Sequence, residues 1–262
     1  MNMNDFDVIV VGGGHAGIEA AHAAARMGSK TALVTLEISK IGLMPCNPAV
    51  GGVGKGHIVY EISALGGLMP KLCTKTYLQA RMLNTSKGPA VQGLRLQIDK
   101  HAYNKLSVET LSNFPNLTLI EGVVEDIILS PSSASQASLF GASPDTAGRT
   151  GECPESEFKS EKSSDPFALS MRRVTNVILK DGRQFSTRAV ILTTGTFLCG
   201  KIHIGKETMA AGRRGEQAVT GLSAFLQRAN LKLGRLKTGT PPRLARASID
   251  FEKIEKHFQN IS

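Results

Sequence analysis

The sequence has no tryptophan, only three tyrosines and four cysteines, and no long uninterrupted apolar run. A membrane-spanning helix needs about 18 or more such residues, so a helical membrane protein is excluded. The cysteines (Cys46, Cys73, Cys153 and Cys199) are scattered without a C-x-x-C pair. Neither a disulfide scaffold nor a metal site is therefore expected, and all four thiols are expected to be free. The opening MNMNDFDVIVVGGG reaches its first strand too early for a targeting segment, which points to a cytoplasmic protein. Apolar residues make up 41% of the chain and glycine contributes 27 of 262 residues. That composition excludes a wholly disordered chain and a collagen-like repeat. The length allows one large α/β domain or two ordinary ones.

Acidic charge is also scarce: 31 Lys and Arg stand against 22 Asp and Glu, a net +9. From Lys201 to Ser262, twelve Lys and Arg face five Asp and Glu, which leaves +7 in that quarter. Such a segment suits a polyanion, nucleic acid first; a solvated surface balanced by acids elsewhere is the plainer reading of charge alone. Arg213, Arg214, Arg235, Lys237 and Arg243 are the candidate phosphate contacts within it. Lys87, in the Lys87-Gly88-Pro89 turn, reads either as pocket wall or as a further RNA anchor.

The order of elements predicts an α/β fold. FDVIVV (6–11) is a continuous β-branched run, the mark of a strand buried on both faces. A glycine turn follows over Gly12–Gly17, then a helix over 18–27 stopped at Gly28, then a strand over 30–36. This is a βαβ unit with parallel strands. Residues 41–57 are too rich in Gly and Pro for regular structure and predict an extended loop. Helices are expected over 58–65, 76–84 and 97–113, and one or two strands over 117–129. Residues 130–170, rich in Ser, Pro, Gly and charge, read as a disordered insert. A hairpin turning at Asp181-Gly182 is expected over 173–186, then a buried strand over 189–192 ending at Thr193-Thr194-Gly195, and a helix over 217–229. The expected organisation is a dinucleotide-binding domain over 1–129, the insert, the rest of that domain over 171–203, and the start of a second α/β domain over 204–262.

Gly12, Gly13, Gly14, His15, Ala16 and Gly17 satisfy G-x-G-x-x-G between a strand and a helix. Gly12 permits the tight turn, Gly14 lets backbone N–H groups approach a pyrophosphate, and Gly17 lets helix and strand pack closely. Glu37, twenty residues on, stands where a ribose hydroxyl would be accepted, and a plain surface acid is the other reading. The antiparallel hairpin ahead of AVILTTG, with Gly195 in its turn, resembles that of the two-dinucleotide-binding-domain flavoproteins, and that resemblance implies FAD rather than NAD. In 46–57 (CNPAVGGVGKGH), Ala49 and Gly56 stand where a Walker loop requires Gly and Ser or Thr. Close backbone approach to a planar ring accounts better for its glycines, with Asn47, Gly51 and Gly52 near the ring and Lys55 placed to steady reduced-flavin charge. Cys46 near a cation is a candidate nucleophile of lowered pKa; an inert thiol is the alternative.

DVIVVGGGHAGIEAAHAAARMG, MPCNPAVGGVGKGHIVYEISALGGLM, LNTSKGPAVQGLRLQID, LTTGTFLCGKIHIG and GRLKTGTPPR, in this order, resemble the MnmG (GidA) family of tRNA uridine 5-carboxymethylaminomethyl modification enzymes. The resemblance covers the chain except 130–170, and it is to the N-terminal portion of a much longer protein. It implies a Rossmann-like FAD-binding domain of the two-dinucleotide-binding-domain type with an antiparallel β insertion. It implies modification of the tRNA wobble uridine at C5 with an MnmE-type GTPase partner. Methylenetetrahydrofolate would be the one-carbon donor and NADH the reductant, and the full-length enzyme would be a homodimer. It further implies that Cys46 attacks uridine C6 and that the backbone of Val124 meets the adenine. A eukaryotic member would work in mitochondria. A folate- and FAD-dependent tRNA uracil methyltransferase is the sibling reading, and a non-catalytic FAD- or RNA-binding fragment the third. Three departures from the family pattern stand out: Pro45 in place of Ser, an acid at position 37, and GEQAVTG over 215–221 without the expected prolines and Ser.

Overall fold

A computed structural model describes residues 5–45, 47–130, 172–213, 215–229, 231, 233–237, 239 and 244–253. Cys46, Arg214, Arg243 and nearly all of the expected insert at 130–170 lie outside them.

Strand β1 (Asp5–Val11) is the spine of the molecule. Ile9 and Val10 are fully buried, each contributing on the order of 1.5–3 kcal/mol of apolar transfer. Helix α1 (His15–Arg26) buries Gly17, Ile18, Ala21, His22 and Ala25, a stripe of mostly small residues that brings its axis close to the sheet. It ends before Gly28, whose φ of +91° suits glycine. Strand β2 (Thr31–Thr35) is buried throughout and pairs parallel with β1.

With β6 (Leu117–Glu121), β7 (Val124–Leu129), β8 (Val174–Leu179) and β9 (Gln184–Leu192), these form a six-stranded sheet in the order β6-β2-β1-β9-β8-β7. β6, β2, β1 and β9 run parallel, and β8 and β7 turn back antiparallel. A Rossmann-like half sheet thus carries an antiparallel extension, as the sequence predicts. One core, around Val10, Ile18, Leu33 and Leu111, packs under α1, α3 (Leu68–Thr76) and α4 (Lys100–Ser112). The other, around Phe6, Ile9, Val177 and Leu222, receives α5 (Gly221–Arg228).

Polar side chains close the helix ends. The Asp99 carboxylate accepts from the His101 and Ala102 N–H groups at 3.0 and 3.1 Å, capping α4. Glu19 of α1 accepts from the Leu68 N–H at 2.9 Å and from that of Met69, capping α3 from outside its own chain segment.

A three-stranded antiparallel sheet, β3 (Ala49–Gly51), β5 (Gly93–Ile98) and β4 (Tyr77–Leu83), stands beside α2 (Lys55–Ala64). Here the structure departs from the sequence reading. The segment expected as a helix over 76–84 is β4, because Leu, Gln, Ala, Arg and Met favour helices while pairing with β5 supplies its backbone bonds. The expected loop over 41–57 contains β3 and the first turn of α2. The helix expected from 97 begins at Lys100, since Gln97 and Ile98 complete β5.

The strand expected as buried over 189–192 is the end of β9, and Ile191 and Leu192 are exposed there. β8 flanks only Gln184–Ser186, leaving that end paired with β1 alone. A second small sheet, β10 (Lys201–Ile204), β11 (Glu207–Arg213) and β12 (Glu216–Gln217), precedes α5. Cys73 is free and buried, whereas Cys199 is disulfide-bonded, so the expectation of free thiols fails at Cys199. No helix among the described residues is long and apolar enough to cross a membrane.

Candidate dinucleotide site

The carboxyl ends of β1, β2 and β9 meet at the glycine turn. Gly12 has φ +115°, and a Cβ there would lie 2.4 Å from the Thr193 carbonyl oxygen. A Cβ on Gly17 would sit 1.8 Å from the Gly12 carbonyl oxygen, and one on Gly13 2.6 Å from Thr35 Oγ1. These three glycines let β1, α1, β2 and β9 close on one another. Thr193 locks the junction: its N–H donates to the Val11 carbonyl at 2.9 Å and its hydroxyl reaches the Val11 and Gly12 carbonyls at 2.8 and 3.1 Å. Thr193 is the supporting residue that the sequence reading passed over. Its signal in the sequence is the strand-end Thr-Thr-Gly.

Gly14 is different. It is the N-cap of α1 in extended backbone (φ −75°, ψ −178°), and a Cβ there would meet nothing within 4 Å. Among the described residues no side chain caps α1, and its first turn carries no acid. The helix therefore presents uncapped N–H groups and its positive dipole end to open space, the arrangement that receives a phosphate.

His15 and Ala16 form the first turn beyond it. Among the described residues Nδ1 of His15 is buried without a partner, and the ring lies edge-on to Tyr103 of α4 with centroids 5.8 Å apart. Burial first, and then the nearby Lys55 ammonium, hold the His15 pKa below the ordinary imidazole value. His15 is therefore neutral at pH 7. Because its folded pKa is depressed, protonation costs stability as pH falls below about 6.5. Lys55 thus stands close enough to α1 to be felt there, and its Nζ donates to the Ala49 carbonyl at 2.9 Å. The fold brings together two residues that the sequence placed in separate motifs. An orphaned imidazole nitrogen, an uncapped helix end and a nearby ammonium fit a diphosphate.

The loop that carries Lys55 is fixed by its glycines. Gly51, Gly52 and Gly54 have φ of +102°, +87° and +76°, and a Cβ on Gly51 would lie 2.1 Å from the Leu94 carbonyl oxygen. Asn47 is exposed, with its carbonyl accepting from the Ala49 N–H at 2.8 Å.

A cavity of about 250 Å³ opens at the end of β2, its wall including Glu37, Val123, Glu125, Lys180, Glu216 and Thr220. Glu37 is paired with Lys40 at 2.7 Å, and Lys40 also reaches Glu216 at 3.2 Å. Glu37 first, then Glu216, raise the Lys40 pKa. Val123 borders the cavity, and Val124 beside it is buried at the start of β7. Gly195, with φ +61°, turns the chain after β9.

The basic candidates of the last quarter differ among themselves. Arg213 Nε lies 3.5 Å from Glu216 and its guanidinium 5.0 Å from the centre of the Phe197 ring. Arg235 donates to the Cys199 carbonyl at 3.2 Å. Lys237 is exposed. Arg214, Arg243 and Cys46 lie outside the described residues.

Comparison with known proteins gives this crevice a family. The sequence profile described as "Glucose inhibited division protein A" (GIDA) matches residues 7–261. The chain belongs to the GidA family. It is 47% identical over 249 residues to the "tRNA uridine 5-carboxymethylaminomethyl modification enzyme MnmG" of Granulibacter bethesdensis, covering 95% of this chain and 34% of that protein. It is 45% identical over 252 residues to the mitochondrial "5-taurinomethyluridine-[tRNA] synthase subunit MTO1" of Pongo abelii, covering 96% of this chain and 32% of that one. Among solved structures, Aquifex aeolicus GidA in its form II crystal superposes with a TM-score of 0.77 at 41% identity, covering 97% of this chain and 35% of that chain. The chain therefore spans about a third of the length of the GidA relatives it matches.

Proposed function

We propose that the chain binds FAD and forms the FAD-holding portion of an enzyme that modifies the wobble uridine of tRNA at C5. The observation that carries this reading is the open, uncapped N-terminus of α1 at Gly14, in a family whose matched relatives are named for tRNA uridine modification. The backbone of Gly12–Gly17 would receive the diphosphate, with the neutral His15 imidazole free to donate or accept at its buried nitrogen. The Glu37 cavity would take the adenosine end, its carboxylate accepting from ribose hydroxyls in exchange for part of its Lys40 pairing. Asn47, Gly51, Gly52 and Lys55 would border the ring, and Val124 and Gly195 would frame the nucleotide. Bound FAD would supply redox chemistry that no side chain can. Cys46 would act as the thiolate that adds to uridine C6, making C5 nucleophilic toward a one-carbon electrophile.

In this reading methylenetetrahydrofolate is the carbon donor and NADH the reductant. An MnmE-type GTPase is the partner, the complete enzyme is a homodimer, and Arg213, Arg214, Arg235, Lys237 and Arg243 are candidate contacts to tRNA phosphates.

The test is direct. Purified chain, as isolated or after incubation with FAD and desalting, is expected to keep stoichiometric flavin absorbance and to bind tRNA with an affinity that falls steeply as salt rises. A colourless protein that cannot be loaded with FAD would overturn the reading.

A further inference from the structure

The notable charge in this fold lies outside the basic last quarter. From Ile38 to Ile98, seven Lys and Arg (Lys40, Lys55, Lys71, Lys75, Arg81, Lys87 and Arg95) face a single acid, Glu61. The whole β3-β5-β4 sheet and its connections fall within this stretch.

The register of that sheet sorts its residues by face. Arg81 of β4 is directly opposite Arg95 of β5, and Gly51 of β3 is opposite Arg95 on the other side. Gln79 and Gln97 are opposed two residues along, on the same face. The alternate rung, Ala80–Leu96–Val50, turns to the other face, where Val50 is 2% exposed and Leu96 packs on the first core. Two arginines and two glutamines therefore point away from the core. Arg81 is exposed and Arg95 half-buried.

Like charges directly opposed across an antiparallel pair are destabilising. Among the described residues, neither guanidinium has a hydrogen bond or an ion pair. Arg213, Arg228 and Arg183, by contrast, each reach a carboxylate. With no carboxylate beside it among the described residues, the rung favours an external anion.

The chemistry of that counter-charge can be narrowed. Paired guanidinium forks match phosphate oxygens bidentately. Lys87 is exposed in the connection from β4 to β5. That connection is ordered by Asn84 (φ +58°), whose side chain donates to the Val91 carbonyl at 2.9 Å. A paired cationic face suits an extended nucleic-acid strand, whose phosphates track the charge.

We propose that the Arg81–Arg95 rung, extended by Lys87, is a phosphodiester-binding site that seats single-stranded RNA beside the Asn47–Gly54 loop. The choice of RNA rests on the tRNA reading above; the unpaired cationic face does not. Since Gly51 is the cross-strand neighbour of Arg95, a backbone held here passes alongside the loop that follows Cys46.

The experiment is a fluorescence-anisotropy titration of a labelled tRNA anticodon stem–loop with the FAD-loaded chain, over about 50 to 200 mM salt. Wild type is compared with an Arg81→Gln/Arg95→Gln double variant and with Arg81→Lys/Arg95→Lys. The Gln variant is expected to bind at least about tenfold more weakly, and its log–log salt slope to fall by about 1.4, the loss of two single-strand phosphate contacts. The Lys variant, which keeps the charge, is expected to retain most of the slope. Flavin content and thermal midpoint are expected to hold in both, because the rung is solvent-facing and removing a like-charge pair relieves repulsion. Wild-type binding with an unchanged affinity and slope in the Gln variant would overturn the site while leaving the tRNA reading intact. A flavin-loaded wild type that binds no RNA would overturn both.

Discussion

Gly17→Ala is expected to lower stability by about 3 kcal/mol or more, because the new methyl would lie 1.8 Å from the Gly12 carbonyl oxygen and 2.8 Å from Thr193 Oγ1. Neither neighbour can retreat cheaply. The Gly12 carbonyl belongs to the turn itself, and Thr193 is tied to Val11 through both its N–H and its hydroxyl. Relief requires α1 to slide away from β1, opening the packing of Ile18 and Ala21, both fully buried. For a chain of this size, about 3 kcal/mol corresponds to a fall in thermal midpoint of roughly 6–12 °C, readable by circular dichroism without flavin. An unchanged midpoint would mean that the turn is looser than described.

Cys46→Ser is expected to abolish wobble-uridine modification in cells that rely on this protein, while flavin content stays at the wild-type level. Addition to C6 of a pyrimidine needs a strong nucleophile at neutral pH. A thiol is partly ionised there and can be shifted further by a nearby cation, whereas a serine hydroxyl has no such anion available without a dedicated base. Lys55, nine residues on in the same segment, is the candidate for that cation. The spared property matters as much as the lost one. The diphosphate site is built from the backbone of Gly12–Gly17, so a one-atom change at position 46 leaves it intact. Modification persisting in the Ser variant would remove Cys46 from the chemistry, and loss of flavin together with modification would make its role structural.

The βαβ unit was legible in the sequence because its determinants are local. A β-branched run, glycines where φ is positive or a Cβ has no room, and an alanine-rich helix stopped at Gly28 each act within a few residues. β4 was not legible. Its residues favour a helix, and only β5, across the Asn84–Gln92 connection, makes it a strand. The 41–57 loop was half legible: its glycines do turn the chain, but the short β3 owes its existence to pairing with β5.

At the site, Gly12–Gly17 declared themselves by spacing. Thr193, the Tyr103 ring against His15 and the Lys40 bridge from Glu37 to Glu216 did not, because each depends on segments distant in sequence. The Arg81–Arg95 rung lies between. The lack of acids from Ile38 to Ile98 is visible in the sequence, but its meaning depends on register, and a shift of one residue would send one arginine to the core face.

The most direct test of the central claim, that backbone amides at the start of α1 hold the flavin diphosphate, is a titration of apo chain with FAD, wild type against Gly14→Ala. The substituted methyl would have open space and ordinary backbone geometry in the absence of cofactor, so the apo protein is expected to stay folded, its thermal midpoint lower by roughly 1–4 °C, the response to the about 0.5–1 kcal/mol that an N-cap loses from glycine to alanine. FAD affinity is expected to fall at least about tenfold, because the methyl stands where the diphosphate must approach the helix. Equal FAD affinity in the two folded proteins would contradict the claim.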